Sequence, residues 1–186
     1  LGTSLDGLAV GDAERVLLRA AARAMVVGTE EHVPYGWTHT LTMSQAALAV
    51  ARQSLDPQLG IDVAGTYVVG MLAALAEGPL PAEVTLTSSD GSFGDAVTAG
   101  REAAAGWVWN APDDAVADLR TELATRASAR RDAHVVKYVL ACLDQAAADP
   151  EAERLYLAAA AALLGHWEPI HEADDPLAAP LGDAQR

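Results

Sequence analysis

Apolar residues recur three and four positions apart along most of this chain, while the alternation that makes a half-buried strand is confined to Val84–Thr87. A chain patterned in this way has few options: it buries helical stripes against one another, and the predicted fold is an all-α multi-helix bundle. At 186 residues it is long enough to form one core without disulfides or structural metal, so residues 1–171 are expected to form a single helical domain.

The helix ends follow from capping residues, prolines and glycines. Asp12 can cap a first helix through Val16, Leu17, Ala20, Ala21 and Met25, ending near Gly28. Thr42 to Gln45 has the form of a capping box ahead of a helix from Ala46 to Ser54, which Pro57 and Gly60 would stop. A third helix is predicted from Asp62 to Ala76; it is apolar on nearly every face, and so is expected at the centre of the bundle. Pro79, Pro81, Gly91 and Gly94 mark residues 79–94 as a long loop. Further helices are expected from Asp95 to Trp109, from Pro112 to Arg130, after Asp132, and from Glu151 to Leu164. The Asp-, Pro- and Ala-rich tail, 172–186, is expected to be disordered.

Charge and cysteine usage exclude several functions. Twenty-six acidic residues against twelve basic ones give a net charge of -14, which repels phosphate backbones and anionic lipids, so no nucleic-acid partner and no membrane partner is expected. The apolar run Val63–Ala76, broken by Gly65 and Gly70, reads as too short for a membrane span. One cysteine, Cys142, inside an apolar segment, fits a buried thiol in a reducing, cytoplasmic setting. There is no phosphate-binding loop, no dinucleotide fingerprint and no nucleophile elbow. The start, Leu-Gly-Thr-Ser, lacks the basic region of a secretory signal and lacks methionine, which is expected of a processed product or a piece of a longer protein.

Three groups of side chains could carry chemistry. Lys137 is the only lysine among the twelve basic residues, and helical spacing puts it on one stripe with His134, Tyr138, Ala141, Asp144 and Gln145. Either that stripe meets solvent, or it lines a polar cavity where burial would free Lys137 for acid–base work beside His134. In the second group, Tyr35 and Trp37 could wall a flat aromatic pocket, with His39 as the functional histidine and Thr38 and Thr40 as hydrogen-bonding groups. In the third, His166, Glu168 and His171 could serve a metal, although the fixed pair of helical ligands seen in zinc proteases is missing and a Glu-x-x-His pair occurs only once. An exposed helix end is the alternative for this third group.

Two stretches, Trp37 to Leu48 and Asp132 to Leu143, with Asp149-Pro150-Glu151 and Tyr156 beyond, together resemble the questin oxidase-like family, over about two-thirds of the chain. The resemblance implies an all-α protein and an oxidoreductase that performs a Baeyer–Villiger type oxygenation of an aromatic, quinone-like small molecule. His39, His134 and Lys137 match by position as catalytic residues, whereas Leu140 stands where the family has an acidic residue. On this reading Tyr35, Trp37 and Tyr138 bind the substrate and no metal is required. Any cofactor is left open, with NADPH as an external reductant. Such proteins are longer, so a homo-oligomer, a missing N-terminal segment or a second chain could complete the site. Two other functions compete: a non-catalytic acidic interaction module presenting Trp107 and Trp109, and a metal-dependent helical enzyme using His39, His134, His166 and His171.

Overall fold

The computed structural model describes residues 5, 7–53, 56–76, 78–81 and 83–171. Among them are eight α-helices and no strand: α1 Val10–Val27, α2 Thr38–Ala51, α3 Pro57–Leu75, α4 Phe93–Ala99, α5 Arg101–Asn110, α6 Asp113–Ser128, α7 Ala133–Ala148 and α8 Glu153–His171. The all-α expectation is met. The tail 172–186, expected to be disordered, lies outside the described residues.

The central helix is α8, not the one expected. Every residue from Tyr156 to Leu164 is at zero exposure, and α1, α4, α5, α6 and α7 pack around it. Its run Ala158–Ala162 explains this, because short side chains let neighbouring helices approach from all sides. The closest approach is at Gly165, where a Cβ would lie 2.7 Å from the Gly100 carbonyl oxygen. Gly100 itself has φ 116°, a left-handed conformation that divides α4 from α5 and breaks the single helix expected over 95–109. Ser92 and Asp95 form a reciprocal capping box that starts α4.

The expected centre, α3, lies at the edge against α2 and α1. It starts earlier than predicted: Asp56 accepts a hydrogen bond from the Leu59 amide at 3.2 Å and Pro57 occupies the first turn, so this proline opens a helix rather than closing one. At nineteen residues α3 is long and apolar enough to cross a membrane by length and composition, a correction to the shorter run read from sequence; 28% of its eighteen-residue apolar stretch is buried.

The segment between α1 and α2 is helical as well. A 3-10 turn at Glu30–His32 leads into a π-helical turn at Val33–Trp37 and directly into α2. Thr38, Thr40, Thr42 and Ser44 each donate a hydroxyl hydrogen to the carbonyl four residues earlier, at 2.7 to 3.0 Å, so Thr42 lies inside the helix and caps nothing. The loop expected over 79–94 runs without secondary structure up to Gly91 wherever it is described, and Val84–Thr87 forms no strand. The Trp107 indole donates to the Gly91 carbonyl and the Asn110 amide to that of Leu86, which ties this loop to α5.

Arginine accounts for many of the remaining joints. Arg101, 7% exposed, donates to the carbonyls of Met25 and Gly28 at 2.7 and 2.8 Å, closing the C-terminal end of α1. Arg154 does the same at the end of α5, reaching the Ala111 carbonyl at 2.6 Å. The planar fork of guanidinium suits these paired acceptors better than a lysine ammonium does, which is a structural reason for a basic complement almost free of lysine.

Candidate functional site

His39 and His134 come together. Their ring centroids are 5.3 Å apart with the planes inclined at 65°, across the contact between α2 and α7. Tyr35 joins them: its ring meets His134 edge to face at 5.2 Å and Trp167 of α8 at 6.5 Å. Tyr35 is 57% exposed, both histidines are half-buried, and Trp167 forms the floor beneath at 8% exposure.

Local structure positions each ring. The π-helical turn places the Tyr35 carbonyl one turn before His39, and Nδ1 of His39 lies in short contact with that oxygen. A carbonyl can only accept, so Nδ1 carries the proton and the neutral ring keeps its lone pair on Nε2. Asp132 acts twice at the start of α7: its Oδ1 accepts from the His134 amide at 2.6 Å and faces His134 Nδ1 at 3.0 Å. By the same reasoning the second ring also donates through Nδ1 and leaves Nε2 free. Two imidazoles, each oriented by an oxygen on its inner nitrogen, form a pair able to take up or deliver protons beside an exposed aromatic ring.

Other residues singled out from sequence go elsewhere. Trp37 is at zero exposure, with its indole donating to the Thr29 carbonyl at 2.9 Å, so it packs the core and offers no face to a substrate. Tyr138 is likewise at zero exposure, and its hydroxyl is buried against the Cys142 thiol. Burial pushes both groups well above their usual pKa, which keeps them neutral and unsuited to proton transfer. Lys137 is exposed and does not face His39 across a closed pocket.

The error in α7 is one of rotation. Its exposed arc holds Ala133, Lys137, Leu140, Asp144, Ala147 and Ala148, turned by roughly 70° from the predicted polar stripe. His134 lies at the edge of that arc, next to α2; Tyr138 lies on the other side of the edge, in the core.

The metal constellation drawn from sequence also changes. His166 Nδ1 pairs with Glu30 Oε1 at 3.2 Å, and Glu168, 4% exposed, is held by Arg126 and Arg130, each at 3.0 Å. The stretch around His166 is therefore a continuation of α8, and the side chain of His171 is outside the described residues. Among the described residues no three of His, Cys, Asp and Glu cluster as a metal site.

Sequence reasoning overlooked two members of the site. Asp132 does more than open α7, because the Asp-x-His spacing lets one carboxylate reach both an amide and a ring. Trp167 follows His166 but points to Tyr35, a contact made across the bundle that no local pattern reveals. Comparisons of the chain with protein-family models, with curated proteins and with solved structures find no match in any of the three.

Proposed function

We propose that this protein is an oxidoreductase acting on an aromatic, quinone-like small molecule, which lies against Tyr35 while His39 and His134 move its protons. The convergence of these three side chains, from three separate elements, is the observation that carries this reading. A lone exposed histidine is common, whereas two imidazoles 5.3 Å apart, each oriented through Nδ1 and lying beside an exposed phenol ring, form an arrangement suited to general base and general acid.

The oxygenation suggested by the questin oxidase-like resemblance fits this arrangement. One histidine removes a proton from a phenolic or enolic substrate, giving an electron-rich carbanion that reacts with dioxygen. One oxygen atom then inserts between a carbonyl carbon and its ring neighbour. The other leaves as water, with two electrons and two protons supplied by an external reductant such as NADPH and a proton from the medium. Lys137, exposed, contributes only a screened charge, so stabilising a developing oxyanion falls to the imidazolium formed in the first step.

A hydroxyanthraquinone is the probe. It should quench tryptophan fluorescence through Trp167, and with NADPH it should drive oxygen uptake. His39→Gln and His134→Gln should each lower turnover by about a hundredfold or more, and Tyr35→Ala should raise KM. A chain that neither binds the quinone nor consumes oxygen is not this enzyme.

A second reading is favoured by a separate observation. Trp107 and Trp109, from which an interaction module was expected, are half-buried against the core and present only part of their rings. Met43, Val50, Leu59 and Val63 are instead exposed around an apolar groove of ≈ 410 Å³ between α2 and α3. Exposed apolar surface of this kind marks contact surfaces. Association of the purified chain with itself or a partner that Val50→Ser plus Val63→Ser abolishes, in a protein inert toward quinones, would favour the module.

A further inference from the structure

We propose that His39 and His134 form a two-histidine binding site for a divalent transition metal, with Zn²⁺ as the fitting ion. This inference does not rest on the proton-transfer reading; the two compete for the same lone pairs, so zinc would block proton transfer at this pair.

The hydrogen bonds on the inner nitrogens are the first argument. Histidines that ligate metals almost always give their other ring N–H to a carboxylate or a backbone carbonyl, which fixes the tautomer and raises the basicity of the ligating nitrogen. Both partner types are present: the Tyr35 carbonyl on His39 Nδ1 and the Asp132 carboxylate on His134 Nδ1. Each ring is therefore left with Nε2 as its only free donor of an electron pair.

Spacing is the second argument. With Zn–N about 2.05 Å and about 1.15 Å from Nε2 to the ring centre, each centroid lies about 3.2 Å from the ion, and a tetrahedral angle then separates the centroids by about 5.2 Å. The observed separation is 5.3 Å. A linear arrangement would need about 6.4 Å and a square one about 4.5 Å on the same bond lengths. The ring separation is thus compatible with a tetrahedral ion shared by the two rings, and their half-exposed position leaves the other two coordination positions to water or a small-molecule oxygen.

Apo-protein without a histidine tag, dialysed against EDTA, is titrated with zinc in the absence of any substrate. Saturable binding of one ion per chain is expected. His39→Gln and His134→Gln should each weaken it by about tenfold or more, as should Asp132→Ser, which keeps the helix cap but cannot reach the ring. His166→Gln and His171→Gln should leave it unchanged. Long-range ¹H–¹⁵N spectra of the unaltered protein supply a readout independent of any variant's folding: zinc should shift Nε2 of His39 and His134 and leave His32 and His166 in place. Absence of saturable binding below millimolar zinc, unshifted His39 and His134 resonances, or undiminished binding by a folded His39→Gln plus His134→Gln protein overturns the proposal.

Discussion

Helices α3 and α8 each hold nineteen residues, and α3 is the more apolar of the two, yet α8 is enclosed while most residues of α3 are not buried. Average apolarity therefore does not decide which helix occupies the centre. Side-chain size along the contact does: the five alanines from Ala158 to Ala162 let helices close in from every side, whereas Leu59, Val63 and Val69 on α3 are each 41% exposed or more. Apolar side chains explain why α3 can be buried on one side, and small ones explain why α8 is buried on all of them.

The sharpest way to break this comparison is to enlarge α8 where it is tightest. A Cβ at Gly165 would meet the Gly100 carbonyl oxygen at 2.7 Å and its carbon at 2.8 Å, and both are backbone atoms that cannot swing aside. Gly165→Leu should cost about 3 kcal/mol or more, measured by urea denaturation, since overpacking against backbone forces helices apart. A variant as stable as the parent would mean that α4 and α5 do not press on α8 in solution.

A smaller effect is expected where α1 is tied to the start of the α8 segment. Arg19 binds Asp149 through two hydrogen bonds, at 2.7 and 2.5 Å, and Asp149 is 4% exposed. The guanidinium holds the carboxyl below its ordinary range. A carboxylate with a lowered pKa in the folded state adds stability that is complete above its unfolded pKa of about 4 and fades as pH falls through the folded value. Asp149→Asn should therefore cost about 2 kcal/mol near neutrality. The gap between variant and parent, followed by thermal melts, should close below about pH 4. A gap that persists unchanged into strong acid would show that the pair is not the source.

How much of this was legible in the sequence depends on how local each determinant is. Gly28, Pro112, Asp132 and Pro150 mark helix ends by chemistry that acts within a few residues, and those boundaries hold to within two positions. Pro57 was misassigned because proline ends one helix and begins the next by the same lack of an N–H, and only the Asp56 cap distinguishes the two. Tyr138 and Lys137 are adjacent in sequence, and the rotation that buries one and exposes the other is set by α8 and α2 on either side of α7. Sequence marks His39 and His134 as functional residues, but their contact depends on how α2 packs on α7; the part of Asp132 is legible in its spacing from His134. Trp167 depended on how the helices pack and was not legible.

The smallest expected effect tests the exposed side of the comparison. Val63, 51% exposed on α3, lies at the open rim of the groove beside α2 and buries little surface there, so Val63→Ser should change the stability of the isolated chain by no more than about 0.5 kcal/mol. The equivalent loss of apolar volume in α8, Leu163→Ala at zero exposure, should cost about 3 kcal/mol, because it leaves a cavity as well as removing buried surface. Measured together by denaturation at low protein concentration, the two substitutions separate the enclosed helix from the open one. If Val63→Ser costs as much as Leu163→Ala, the outer face of α3 is covered in solution, and repeating the melts across a range of concentrations tells whether a second copy covers it: a midpoint that rises with concentration in the parent and not in the variant would locate that contact on α3.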